Sequence, residues 1–91
     1  MESIDCKEFL TGFVDKEYVD MVDDKAFDYV EEYSSIGGSP HVCIGVGLSE
    51  TDEVDWNLQE ISDNLGVSRR AIYNARDSLD LIEYESRGMH L

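Results

Sequence analysis

Asn57-Leu58-Gln59-Glu60-Ile61-Ser62-Asp63-Asn64-Leu65-Gly66-Val67-Ser68-Arg69-Arg70-Ala71-Ile72-Tyr73-Asn74-Ala75-Arg76-Asp77-Ser78-Leu79 is the stretch that decides the fold. Asn57 is a capping residue, and Glu60 three positions later completes the pattern of a capping box. Trp56 before the cap and Ile61 after it have the spacing of a hydrophobic staple. Leu58, Ile61 and Leu65 then fall on one helical face. Gly66 stands where a chain leaving a helix takes a positive φ. Val67 packs back, and Ser68 caps a second helix. On that helix Ile72, Ala75 and Leu79 point inward, while Arg69, Arg70, Tyr73, Asn74 and Arg76 point outward. A short helix, a Gly turn and a second helix with an Arg/Asn outer face is the arrangement that presents side chains to the DNA major groove. The same pattern also describes an ordinary corner between two helices.

Charge works against a nucleic-acid reading. The 91 residues carry 21 acids and 7 basic residues, a net charge of −14. Residues 1–56 hold 15 acids and 3 lysines, and residues 57–67 hold 2 acids and no base. Residues 68–91 hold 4 acids and all 4 arginines, so only this last quarter is balanced. In dilute salt so acidic a body repels DNA. At molar salt the Debye length falls to about 3 Å, and distant acids hardly act on a phosphate. A halophilic host therefore reconciles the motif with the charge. The other reconciliation is that the acids face a basic partner.

Length and composition predict one domain, residues 1–91, with a small core. A chain of this size buries about 60–65% of its unfolded surface, and its 42% hydrophobic fraction suits a folded domain. With no run of about 18 apolar residues and no basic-then-apolar start, the expectation is a cytoplasmic protein without a membrane partner.

Working outward from the motif, the chain reads as all-α with five helices. Ile4 to Phe13 forms the first, with Cys6, Phe9, Leu10 and Phe13 on a shared face and Gly12 weakening it. Asp15 caps a second, running to about Ser34. Its Tyr18, Val19, Val22, Ala26, Tyr29, Val30 and Tyr33 make an apolar stripe opposite an acidic face. Gly37 and Gly38 end it. Ser39 caps a third helix and Pro40 takes its first position. From His41 to Leu48 the apolar residues form no stripe, so the segment is a buried central helix or a buried strand. Gly45 and Gly47 weaken both assignments; in a helix they would allow close approach by neighbours. Residues 49–55 read as an acidic loop. The tail is open: Leu81, Ile82 and Tyr84, then Ser86-Arg87-Gly88, then Met89 and Leu91 suit a small β-hairpin. That would make the domain a winged helix-turn-helix instead.

These helices, in this order, resemble one cyclin-like repeat of archaeal transcription factor B, called transcription factor IIB in eukaryotes, over Phe13 to Leu79. Val22 and Ala26 match that family's Val-x-x-x-Ala spacing, and Gly37-Gly38-Ser39-Pro40 its Gly-x-Ser-Pro turn. Cys43, Gly45 and Gly47 stand where its third helix has small residues, which favours a helix there. Asn57, Glu60-Ile61, Gly66-Val67-Ser68 and Ile72-Tyr73-Asn74 match the rest. The resemblance implies a five-helix cyclin-like fold and a DNA-contacting surface at Ser68, Arg69, Arg70, Tyr73 and Asn74. The chain departs from the family in having one repeat, no zinc ribbon, and Asp52, Glu53 and Asp55 where basic residues are frequent. A stand-alone regulator of archaeal or archaeal-virus type, or a partner for a full factor, fits better than a complete initiation factor.

Other chemistry is not expected. Cys6 and Cys43 read as reduced core thiols. His41 and His90 have no metal-ligand spacing. Asp23-Asp24 and Glu31-Glu32 read as a solvated face, without the apolar flank that raises a catalytic carboxyl. No cofactor motif appears, and an enzyme is not expected. The expected function is a small DNA-binding transcription regulator with residues Ser68, Arg69, Arg70, Tyr73, Asn74 and Arg76 on duplex DNA. Its further partner would be another transcription factor or a second copy. The alternative is an acidic protein-interaction module of the transcription machinery that does not bind DNA. Tyr73 either touches sugar or a thymine methyl, or packs on a neighbouring helix or a second copy.

One prediction follows from charge alone. Self-repulsion destabilises a compact state at −14, and ions screen it, so melting should rise by several degrees between ~0.05 M and ~2 M KCl. Thermal denaturation followed by circular dichroism checks this; a flat or falling curve overturns the halophilic account.

Overall fold

The computed structural model describes the backbone of residues 6–86 and the side chains of residues 6–79. It holds six helices: α1 (Cys6–Thr11), α2 (Lys16–Met21), α3 (Phe27–Ser35), α4 (Pro40–Glu50), α5 (Leu58–Leu65) and α6 (Arg69–Ser86). Among the described residues there is no strand, so the all-α expectation holds.

The fold is organised around α4. Pro40 opens it at the first position, and Ser39 precedes it in extended backbone, where its carbonyl accepts from Cys43 N–H at 2.8 Å. Residues 42–48 are all buried. A helix apolar on every side belongs in the middle of a domain, and α4 touches α2, α3, α5 and α6. This settles helix over strand for the His41–Leu48 segment. Its two glycines serve close approach. A β-carbon on Gly45 would lie 3.2 Å from Ile72 of α6 and 3.6 Å from Leu65 of α5. One on Gly47 would lie 2.5 Å from Val30 of α3 and 3.0 Å from Val22. Positions two apart on a helix lie on nearly opposite sides. Each glycine therefore admits a different half of the molecule.

The expected long second helix is broken in two, which gives six helices rather than five. Val22 is extended at ψ 124°. Asp23 accepts the Ala26 N–H on its carboxylate at 2.6 Å and the Phe27 N–H on its carbonyl at 2.9 Å. An Asp side chain bonding to nearby backbone offers the chain an alternative to continued helix. A tertiary contact holds that alternative: Asp23 N–H donates to the Thr51 hydroxyl at 3.3 Å. Thr51, buried at the end of α4, donates in turn to the Gly47 carbonyl at 2.8 Å. Val22 and Ala26 are both buried, but on either side of a turn and not on one helix as the family spacing implied.

The ends also differ from expectation. The first helix stops at Thr11, and the Phe13 and Val14 N–H groups both donate to the Leu10 carbonyl. Leu10 and Val14 enter the core, while Phe9 and Phe13 stay exposed. The predicted shared apolar face of Cys6, Phe9, Leu10 and Phe13 is therefore not made; Ile4 lies outside the described residues. At the other end α6 runs on through Ser86. Leu81, Ile82 and Tyr84, open in sequence between a hairpin strand and the end of an all-α domain, are therefore helical. Ile72, Ala75, Leu79 and Ile82 keep helical spacing, and no Gly or Pro intervenes to stop the helix. Arg87, Gly88, Met89, His90 and Leu91 lie outside the described residues. Among the described residues no helix is long and apolar enough to cross a membrane.

Gly47→Ala should destabilise the domain by about 1–3 kcal/mol, since the added methyl overpacks against two β-branched side chains. Gly45→Ala should cost less, because Ile72 can yield by a few tenths of an ångström. Urea denaturation of the two variants checks the order.

Candidate nucleic-acid interface

The unit made by α5, the turn and α6 follows from its sequence position by position. The Asn57 side chain accepts the Glu60 N–H at 2.9 Å and so satisfies one of the orphan donors at the start of α5. Ile61 and Leu65 are buried beneath the helix, and Leu58 is half-buried. Gly66 adopts φ 70° and ψ 27°, and its N–H donates to the Ser62 carbonyl at 2.9 Å. The Ser62 hydroxyl donates to the Val67 carbonyl and closes the turn from the other side. Ser68 then caps α6, its hydroxyl accepting the Ala71 N–H at 3.1 Å.

On α6, Ile72, Ala75 and Leu79 are buried. Ser68, Arg69, Arg70, Tyr73 and Asn74 are exposed. Arg69 and Tyr73 are one helical turn apart, as are Arg70 and Asn74, so the four form a continuous patch beside the start of the helix. No acid lies in the first turn, which leaves the positive end of the helix dipole uncancelled. Among the described residues neither Arg69 nor Arg70 is held in an ion pair. Tyr73 is 53% exposed, so it is not taken up by packing within the chain.

Arg76 is placed differently from its companions. Its guanidinium lies 2.9 Å from the Glu50 carboxylate at the end of α4, and both side chains are half-buried. It ties α6 to the central helix rather than standing with the outward patch. Asp77, the acid of α6 nearest the arginines in sequence, makes no such pair with an arginine among the described residues.

Two supports of the unit lie outside the motif. Tyr18 of α2 donates its hydroxyl to Asn64 Oδ1 at 3.3 Å, and Asn64 donates to the Glu60 carbonyl at 2.8 Å. The Tyr18 ring also meets Trp56 edge-on, with centroids 6.0 Å apart. These anchor the start and end of α5 to the acidic half. Sequence periodicity marked Tyr18 as apolar stripe but held no signal for the Asn64 contact.

Among the described residues no cluster of His, Cys, Asp and Glu could hold a metal ion. Cys6 and Cys43 are both reduced thiols. Burial pushes the Cys43 thiol up to about 11, and the nearby Cys6 adds to the effect. Burial likewise raises the Tyr33 phenol, with Cys43 contributing. The thiol of Cys43 therefore stays protonated, as a core residue, through the neutral range.

Gly66→Ala tests the turn. The left-handed backbone costs an L-residue about 1–2 kcal/mol, and the space around Gly66 is open. Stability in urea should therefore fall by that strain alone, with the helical circular dichroism signal retained.

No family model, no curated protein and no solved structure matches the chain.

Proposed function

We propose that this chain is a small DNA-binding transcription regulator, with α5 and α6 acting as a helix-turn-helix whose second helix enters the major groove. The observation that carries the reading is the exposed Arg69 and Arg70, in no ion pair among the described residues, set beside Tyr73 and Asn74. Elsewhere the chain is dominated by acids. Packing of α6 uses Ile72, Ala75 and Leu79, so it gives no reason for the arginines opposite. Arg pairs bidentately with guanine and Asn with adenine, Ser68 offers a phosphate contact at the helix start, and Tyr73 reaches a sugar or a thymine methyl. The acidic remainder is compatible with this in a high-salt cytoplasm, where screening acts within about 3 Å at 1 M. On this reading the host is a halophilic archaeon or its virus. The domain is read as cyclin-like and related to transcription factor B, with the second helix of the repeat split at Asp23. Arg76 leaves the reading set and becomes the strut that fixes α6 on α4.

A second reading, an acidic interaction module of the transcription machinery that does not bind DNA, is favoured by one observation. The pairing of Arg76 with Glu50 shows that this body can neutralise an arginine internally.

Arg70→Ala combined with Asn74→Ala separates the two. Both positions are exposed, so stability should stay within about 0.5 kcal/mol of the parent. Each bidentate base contact discriminates by about 1–3 kcal/mol. A duplex selection at high salt should therefore yield a preferred sequence with the parent and none with the variant. A parent protein that selects no sequence overturns the DNA reading.

A further inference from the structure

Two large apolar side chains stand side by side in solvent on the edge of α1. Phe9 is 43% exposed and Phe13 54%. Their ring centroids are 5.0 Å apart, tilted at 52°. Burying a Phe side chain is favourable, and half of each ring leaves that gain unused. A hollow adjoins each ring. Beside Phe9, a cleft of about 230 Å³ is lined by Cys6, Glu31, Ser34 and Ser35. Beside Phe13, a smaller one reaches Asp15, Tyr18, His41 and Asn64. An apolar pair flanked by hollows is the shape of a contact for another protein's side chains.

We propose that the Phe9–Phe13 patch docks a basic amphipathic segment of a partner protein. Charge selects this occupant. Glu31 lines the cleft beside Phe9 and Asp15 the hollow beside Phe13, and both carboxylates are exposed; Glu8 on α1 and Glu17 on α2 are exposed on the same two helices. The lysines on these two helices are already engaged: Lys7 lies 3.5 Å from Asp24, and Lys16 lies 3.4 Å from Asp20. The rim is therefore acidic around an apolar centre. A second copy would set the same rim against itself, since a two-fold contact pairs one patch with its equal, and like charges facing each other oppose it. Nucleic acid is repelled by the same carboxylates. A segment with Leu or Phe along one face and Lys or Arg flanking it matches both the centre and the rim. The patch shares no residue with the α6 surface, and the proposal does not depend on DNA binding.

The test uses the full chain, isotope-labelled for NMR, at the lowest salt at which it remains folded by circular dichroism. The probe is a synthetic helical peptide of Lys and Leu, with a Glu/Leu peptide of equal length as control. The Lys/Leu peptide is expected to bind and to shift the amide signals of residues 6–18 and 31–35. Phe9→Ser with Phe13→Ser should weaken binding about tenfold or more, as truncation of interface aromatics does. Arg70→Ala with Asn74→Ala should leave it unchanged. Equal binding to the Phe variant, shifts centred away from these residues, or no binding of the Lys/Leu peptide overturns the proposal. So does a parent dimer in sedimentation that the Phe variant dissolves, because the occupant is then a second copy. The signal map on the parent chain stands even if the double variant unfolds.

Discussion

A β-carbon at position 47 would stand 2.5 Å from Val30, and that single distance governs how the rest of the domain can be built. Helix α4 has no polar face to give to water, so it must be covered on every side. Covering a helix with four others in a chain this short requires backbones to come closer than ordinary side chains permit. Gly47 admits Val30 and Val22 on one side, and Gly45 admits Ile72 and Leu65 on the other. The cost of glycine within a helix, about 1 kcal/mol each relative to alanine, is offset by the valine, isoleucine and leucine contacts that close over it. Thr51 completes the arrangement. It holds the α4 terminus with one hydrogen bond and the α2–α3 turn with another, so the break between those helices and the end of the central helix are one structural feature.

Which parts of this were legible from residues alone depends on where their causes lie. The α5–turn–α6 unit was readable because each signal is local. Asn57, Gly66 and Ser68 act on backbone groups within three or four residues, and the inward set Ile72, Ala75 and Leu79 is fixed by helical period. Pro40 and the stripeless segment after it announced a buried element for the same reason. The break at Asp23 was not readable. The periodicity from Tyr18 to Tyr33 is unbroken, and the residue that holds the turn, Thr51, lies 28 positions away. The exposure of Phe13 was missed because α1 ends two residues early, and that of Phe9 because the helix turns Leu10 rather than Phe9 into the core. At the candidate surface, sequence placed Ser68, Arg69, Arg70, Tyr73 and Asn74 correctly as outward. It could not foresee that Arg76 would find Glu50, since that pair depends on how α6 crosses α4.

The surface divides the molecule's two chemical characters. Acids occupy the faces of α1, α2, α3 and the loop after α4, and the unpaired arginines occupy the start of α6. Tyr18 bridges the two regions through Asn64 and Trp56, and Arg76 bridges them through Glu50. The Tyr18 contacts thus hold α5, and the Arg76–Glu50 pair holds α6 on the central helix. Such fixing keeps the exposed side chains of α6 in one place relative to the core, and directional hydrogen bonds depend on placement to within an ångström.

The position of α4 in the chain has a consequence for how the domain assembles. It lies at the midpoint of the sequence, with α1 to α3 before it and α5 to α6 after it, and each group packs on a different side. Both groups pack chiefly on the shared helix, and α3 also meets α6 directly. A break anywhere along the chain leaves one fragment with the central helix and half its cover, and the other with an apolar face and nothing beneath it. Loss of cover on one side of α4 therefore weakens the packing on the other, a coupling that favours cooperative unfolding. The two glycines that let its neighbours approach are also the positions at which that cooperativity is most easily lost.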